Sequence, residues 1–470
     1  MNKKFDIIVI GAGAGGLNVA SFMNDCGFQV LLVDKDEAHI GGDCLNHGCI
    51  PSKSLIHVSK IMHERKNAEQ FLERTSARSV VDIVKVMDYI RGRQSIIRDH
   101  HENKSYFEKK GITVVLGNAV FTGERTVRVG DTEYTGKKIV IATGSRPRQM
   151  DFMGNDKVPV YTSDTIWDID TLPQNFVFIG AGPISLEIGQ SFLRFGSQVT
   201  VIDIGARILP REIQMVSDTI YQALVSEGMD FYFDTKVEKW SNQMLHVLVS
   251  GRAYQIPCDA VFLGIGRELN IDRLDLEHAN IERDTKTGKI ILDGHLRTTN
   301  KSAYVVGDAV GQHMFTHAAE LHARVVIEHF FNPFAKPLST RSMSWVMYTD
   351  PEIATFGLSE EDLKKEGVRY EVLETHFTHD DRAITQDNTQ GFARVYVSKG
   401  IIQGGTMIAD GAGELIQELI LAQTAKLPVS ILFNKTYPYP TASRINKDLF
   451  APYFKKKLTP LVKRILRLVY

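Results

Sequence analysis

The chain has 470 residues, 43% hydrophobic and 24% charged, the ordinary range for globular proteins. Lys plus Arg number 55 against 56 Asp plus Glu, a net charge of −1 that supplies no field to draw the chain to nucleic acid. Four cysteines exclude a secreted disulfide scaffold, and the length fits about three domains.

After Met1-Asn2-Lys3-Lys4 the chain turns apolar, as a signal peptide would. Asp6 interrupts that run, glycines crowd the residues from Gly11 to Gly16, and no small-residue cleavage site is evident. No run of about 18 apolar residues appears, so no spanning helix is expected. The expectation is a soluble, cytoplasmic protein.

The first elements read as an apolar strand from Phe5, a turn holding Gly11, Gly13 and Gly16, an amphipathic helix, and a second strand ending at Asp34. Each residue type has a reason. The first glycine allows the tight turn, and the second lets backbone approach a pyrophosphate. The helix N-terminus offers unpaired N–H groups to the anion, and the acid accepts hydrogen bonds from a ribose.

Next comes Gly41-Gly42-Asp43-Cys44-Leu45-Asn46-His47-Gly48-Cys49-Ile50-Pro51-Ser52-Lys53. Cysteines five apart do not share a face of an ideal helix. A disulfide between them needs a distorted turn, which Gly48 eases. Pro51 suits the first turn of a helix running through Leu55, Val58 and Met62, with Cys49 at its N-terminus. The dipole there favours thiolate. No second cysteine pair exists to complete a zinc site, so no resident metal is expected. A redox-active disulfide is the reading, with Cys26 and Cys258 as core residues.

From Phe176 to Asp203 the strand–turn–helix–strand–acid pattern returns, with Gly180 and Gly182 in the turn and the same distance from first glycine to acid. Ser185 stands where a third glycine or alanine is usual. One such turn is a weak signal; two copies in the same context are a strong one. Asp203 suits a ribose 2′-hydroxyl and repels a 2′-phosphate, and no Arg stands immediately after it, so NADH is expected over NADPH.

Further short motifs come in order: Gly117-Asn118-Ala119, Ala142-Thr143-Gly144-Ser145, Tyr304-Val305-Val306-Gly307-Asp308-Ala309 and Thr349-Asp350-Pro351-Glu352-Ile353-Ala354. With the cysteine motif they resemble, across essentially the whole chain, the FAD-dependent pyridine nucleotide–disulfide oxidoreductases. That family includes dihydrolipoamide dehydrogenase, glutathione reductase and mercuric reductase. The resemblance implies an α/β fold with two Rossmann-like dinucleotide-binding domains and an α+β C-terminal dimerisation domain. Residues 1–150 and 270–340 would bind FAD, 151–269 NAD(P), and 341–470 would form the interface of a homodimer whose active sites each use the partner's C-terminal part.

The resemblance also implies roles. Electrons pass from NADH through FAD to Cys44–Cys49, with Cys49 facing the flavin as the charge-transfer thiolate and Cys44 attacking the substrate. Lys53 and Glu187 look like the ion pair beside the flavin's reactive edge. To FAD it assigns Gly11, Gly13, Gly16, Asp34, Gly42, Lys53, Ala119, Thr143, Gly144 and Asp308. To NAD it assigns Gly180, Gly182, Ile184, Glu187, Asp203 and Gly266.

Three departures stand out. Disulfide reductases of this family carry His-Pro-x(3)-Glu near the C-terminus, where the His moves protons at the exchange thiol and the Glu orients it. Here Tyr439 and Arg444 stand at those positions. A tyrosine titrating near 10 is a poor base at neutral pH. Mercuric reductase also has a tyrosine there, but no cysteine follows Cys258 to match its C-terminal pair. Second, Asp43 and His47 replace the family's Thr and small apolar residue. Ordinary loop variation is one reading; the sharper one is that His47 supplies the missing proton chemistry. Third, no acid follows Asp448. Lys455, Lys456, Lys457, Lys463, Arg464 and Arg467 alternate with apolar residues at helical spacing. The favoured expectation is a helix docked on its own interface domain; the alternative is weak, reversible attachment to an anionic membrane.

The expected function is therefore NAD(P)H-dependent, FAD-mediated electron transfer through Cys44 and Cys49 to a small disulfide or other acceptor. The alternatives are a metal-ion or quinone reductase and, in another class, a flavin-based redox sensor.

Overall fold

The structure is a computed structural model that describes residues 3–71 and 80–470. It divides into two compact units, Met1–Arg207 with Gly228–Leu338, and Ile208–Glu227 with Ser339–Tyr470.

The first unit starts from the run KKFDIIVI. As strand β1 (Lys3–Ile10) its last four residues are buried on both faces, which a central parallel strand requires. Helix α1 (Ala14–Asp25) crosses to strand β2 (Val30–Asp34), which pairs in parallel with β1 at Ile8↔Leu31. Further strands are β3 (Thr113–Leu116), β4 (Ala119–Gly123), β5 (Thr126–Val129) and β6 (Thr132–Ile141). The sheet order is β3-β2-β1-β6-β5-β4. Strand Ala303–Val305 pairs in parallel with the C-terminal part of β6, bringing Gly307 and Asp308 beside the first glycine turn.

The second glycine motif builds a separate five-stranded parallel sheet. Its order is Asp230–Tyr232, Gln198–Ile202, Asn175–Ile179, Ala260–Leu263, Val160–Tyr161. Helix Pro183–Phe195 makes the crossover, capped by Gly196 in the left-handed region. Strands Thr235–Ser241, Met244–Val249 and Arg252–Pro257 form an antiparallel meander. Its turns, Asn242-Gln243 and Ser250-Gly251, take positive φ at both central residues, the geometry of tight hairpins. Cys258 is fully buried beside them, as expected; Cys26, expected in a core, is instead exposed, because it caps the solvent-facing end of α1.

In the second unit, strands Ser344–Met347, Glu352–Gly357, Glu371–His376, Phe392–Ser398 and Ile401–Ala409 form an antiparallel sheet. Its core takes Ile445, Leu449 and Phe450 from helix Ile445–Lys455. The expected docked tail is not found. Helix Pro460–Val469 buries no residue, because its apolar face meets no complementary surface of its own unit. No helix among the described residues is long and apolar enough to cross a membrane.

Candidate active site

The two glycine turns are built alike. Gly11 takes φ +110, and a Cβ there would lie 2.2 Å from the Ala142 carbonyl oxygen. Gly180 takes φ +99, and its Cβ would lie 2.5 Å from the Gly264 oxygen. Only glycine permits either approach. Gly16 is the close-packing position, since a Cβ there would meet the Gly11 oxygen at 2.1 Å. Ser185 at the equivalent second-copy position is fully buried, and its Oγ fills the space a Gly264 Cβ would need. A small residue with a glycine opposite therefore serves in place of a third glycine.

Asp34 accepts a hydrogen bond from the Ala12 N–H and Asp203 one from the Ala181 N–H, each at 2.6 Å. Burial pushes the Asp34 carboxyl above its usual range. Both crossover helices begin with no side-chain cap and no acid in the first turn. Their N-terminal N–H groups and positive potential are left for anions, so the residues fit two dinucleotides. Ile184 lies partly exposed in the first turn of the second of these helices, and Gly266 takes φ +102 beyond the last strand of its sheet.

Gly42, at φ +64, carries the cysteine loop onto the first turn; a Cβ there would sit 2.5 Å from Gly13 Cα. Helix α2 (Gly42–Asn46) stops at His47, and helix α3 (Cys49–Ala68) starts anew with Gly48 as its N-cap. That break lets two cysteines five apart meet. Helix α4 (Ile83–His101) locks the loop. Gln94 Nε2 donates to the Leu45 and Asn46 carbonyls at 2.9 Å each, and Arg98 donates to Asn46 Oδ1 at 2.7 Å.

Cys44 and Cys49 are free thiols, placed so that the Cys44 thiol can donate a hydrogen bond to a Cys49 thiolate. That bond, the Thr316 hydroxyl 3.5 Å from the Cys49 sulfur and the Lys53 charge together outweigh burial and bring the Cys49 thiol down to about 6. The same bond, with burial, pushes Cys44 far up. One thiolate and one thiol share the site, the thiolate at the helix N-terminus. Lys53 Nζ stands 2.9 Å from Glu187 Oε2, a pair joined across 134 residues, with the carboxylate buried.

Asp308 accepts from Ser145 Oγ at 2.6 Å, with Arg267 Nε 3.9 Å away. Burial raises its carboxyl against both. Thr143 has a buried hydroxyl with no hydrogen-bond partner among the described residues, Gly144 takes φ +69, and Ala119 is buried at the start of β4.

Arg267, Thr316 and Asp164 were not among the residues expected from sequence. Arg267 Nη2 lies 3.3 Å from Asp43 Oδ2, and His47 Nδ1 3.7 Å from Asp43 Oδ1. Burial pushes Asp43 up, but His47 and Arg267 hold it below the usual range. Burial and the Asp43 charge raise Asp164. Ligand atoms of Asp43, His47 and Asp164 fall within 4.8 Å of one another, a set able to hold a metal ion. Trp167 ties the segments together, its Nε1 donating to the carbonyls of His47 at 3.0 Å and Ser163 at 2.7 Å. A faint signal existed: Arg267 directly follows Gly266, and Thr316 opens the helix after the Asp308 motif.

Tyr439 belongs to the second unit. Its exposed hydroxyl donates to Asp381 Oδ2 at 3.1 Å, and the Arg444 guanidinium sits 5.8 Å from its ring centre. The Asp381 contact raises the phenol further above neutrality. A general base is therefore not what this residue supplies.

Comparison with known proteins identifies the family. A family model described as pyridine nucleotide-disulphide oxidoreductase matches residues 5–323, and the dimerisation domain of the same family matches residues 343–449. Among relatives, a dihydrolipoyl dehydrogenase of Manduca sexta is 31% identical, with 94% of this chain and 91% of that protein covered. One of Mycoplasma genitalium is 29% identical, covering 95% and 97%. A solved structure described as the Cu(II) complex of the HOCl-induced flavoprotein disulfide reductase RclA from Escherichia coli superposes with a TM-score of 0.82. It is 25% identical, and the match covers 96% of this chain and 100% of that one.

Proposed function

The chain belongs to the pyridine nucleotide-disulphide oxidoreductases, and from that premise we propose which residues carry its electrons and what receives them. It is an FAD-dependent oxidoreductase of NAD(H) and disulfides, with a dimerisation domain that makes it a homodimer. FAD held by this fold would supply the chemistry of accepting hydride from a nicotinamide and delivering two electrons to a disulfide. We assign the FAD domain to residues 1–150 and 270–340, the NAD domain to 151–269 and the interface domain to 341–470.

Our assignment of roles rests on the chemistry of each group. Gly11, Gly13, Gly16 and Gly42 let backbone close on the FAD pyrophosphate, Asp34 takes its ribose and Asp308 its ribityl hydroxyls. Gly180, Gly182, Ile184 and Asp203 serve the nicotinamide dinucleotide, with Gly266 at the mouth of that site. A carboxylate at Asp203 favours NADH over NADPH. Lys53, held by Glu187, stands as fixed positive charge near the Cys49 sulfur. Cys49 keeps the electron pair as thiolate; Cys44 keeps a proton until it attacks.

Proton demand selects the acceptor. Reducing a disulfide requires two protons, and the exchange thiol needs a base to shed its own and an acid for the leaving sulfur. Tyr439, hydrogen-bonded to Asp381 with its phenol raised, supplies that relay badly; this observation carries the proposal. Small disulfides are turned over with His47, paired to Asp43, as the proton carrier. A one-electron oxidant makes no such demand. Two Cu(II) ions taking one electron each oxidise the Cys49 thiolate and the Cys44 thiol to the disulfide, and the one Cys44 proton leaves to solvent. Asp43, His47 and Asp164 beside the cysteine loop favour this metal-ion reading, and the RclA structure is described as a Cu(II) complex. Quinones are the remaining acceptor class. We place the enzyme in the cytoplasm, free to attach peripherally to a membrane.

The test is anaerobic reduction by NADH followed by mixing with lipoamide, a quinone or Cu(II), for wild type and His47→Ala. Reoxidation by lipoamide should slow at least tenfold in the variant while reduction by NADH does not change. Equal slowing of both steps overturns the role of His47, and faster discharge by lipoamide than by Cu(II) overturns the metal reading.

A further inference from the structure

We propose that helix Pro460–Val469 docks the enzyme on an anionic lipid surface. This goes beyond the reading of the acceptor and does not depend on it.

The helix is specified locally. Thr459 Oγ1 accepts a hydrogen bond from the Val462 N–H at 3.3 Å, and Pro460 fills the first turn. At about 100° per residue, Leu461, Val462, Ile465, Leu466, Leu468 and Val469 fall within an arc of about 160°. Lys463, Arg464 and Arg467 fall within the opposite arc of about 100°. The separation of faces is complete.

Neither face has an occupant among the described residues of this chain. Leu461, Leu468 and Val469 are 67%, 80% and 82% exposed. Lys463, Arg464 and Arg467 make no ion pair among the described residues. A soluble protein rarely leaves so contiguous an apolar stripe in water without a partner for it.

Charge decides which partner. No acid follows Asp448, while Lys455, Lys456 and Lys457 lead into the helix and three more cations lie on it. The matched dimerisation domain ends at residue 449, and the helix lies beyond that match. Two tails packed through their apolar faces would leave Lys463, Arg464 and Arg467 pointing into water with no opposite charge to meet. A lipid headgroup layer supplies the opposite sign, and the acyl boundary takes the leucines. Ten residues span only about 15 Å, enough to lie in the interface and too few to cross it.

The experiment is flotation of the FAD-loaded enzyme with vesicles of phosphatidylcholine alone or mixed with phosphatidylglycerol. Sedimentation of the same samples without lipid reports the oligomeric state. Wild type should float with the anionic vesicles only, and high salt should release it. Replacing Lys463, Arg464 and Arg467 together by Gln should weaken partitioning roughly a hundredfold, about fivefold per cation, with NADH oxidation unchanged. Leu461→Ser with Leu468→Ser should abolish flotation and leave the dimer intact. Equal flotation with neutral vesicles, or no flotation, overturns the proposal. Loss of the dimer in the Leu461→Ser, Leu468→Ser variant identifies a second copy as the occupant and overturns it equally.

Discussion

The sharpest consequence of the site concerns the division of one proton between two cysteines. The hydrogen bond from Cys44 is the largest cause of the low Cys49 value of about 6, ahead of Thr316 and Lys53. An ordinary thiol titrates near 8.5, so at pH 7 Cys49 is about 90% thiolate where a plain cysteine is about 3%. Cys44→Ala removes the leading cause and leaves the hydroxyl and the ammonium. The Cys49 midpoint should then rise by about one to two units, or roughly 1.5–3 kcal/mol. The rate at pH 7 is the wrong observable. As thiolate fraction falls, intrinsic nucleophilicity rises with a Brønsted slope of about 0.5, and the two largely cancel. The assay is iodoacetamide alkylation of Cys49 in the reduced enzyme across pH 4–10, read by mass on the Cys49 peptide. Cys44→Ser, which keeps a donor, should fall between wild type and Cys44→Ala. A Cys44→Ala midpoint within about half a unit of wild type would refute the reasoning and leave Lys53 or the helix terminus as the cause.

The remaining expectations are briefer. Tyr439→His combined with Arg444→Glu restores the proton relay and should raise turnover with lipoamide by about 10²–10⁴-fold, measured as NADH oxidation, without raising Cu(II) turnover. Gly42→Ala forces a Cβ against Gly13 backbone in a left-handed conformation and should cost the enzyme its FAD, read as flavin per chain after gel filtration. His322 is fully buried, and burial brings it down to about 4 from an ordinary 6.5. The unfolded state therefore binds the extra proton first, and stability should fall by about 3 kcal/mol as pH drops from 6.5 to 4. His322→Leu should flatten that part of the denaturant-midpoint curve; an unchanged slope rejects the assignment.

Much of the molecule is written locally. An apolar run, a glycine turn, an amphipathic helix and a terminal acid lie within a few dozen residues, and hydrogen bonds inside that window close the unit. Both dinucleotide turns were therefore legible, down to Asp34 and Asp203. So was the start of α3 at Cys49, because Gly48 and Pro51 bracket a helix start. Even the absence of the family's acid–base pair could be read from Tyr439 and Arg444.

Residues that the chain brings together from far apart were not legible in the same way. Lys53 meets Glu187 across 134 residues, and Cys49 meets Thr316 across 267. Family resemblance supplied the first; nothing in the spacing supplied the second. Asp43 looked like loop variation until Arg267, His47 and Asp164 were found around it. Cys26 looked like core because a free cysteine is among the residue types most often buried, yet it caps the end of α1 and is exposed. The tail pattern announced an amphipathic helix but not its exposure. Sequence periodicity fixes which face of an element is apolar; only packing decides whether anything lies against that face. Likewise a side chain's type fixes which protons it can hold, while the charges folded around it decide whether it holds them.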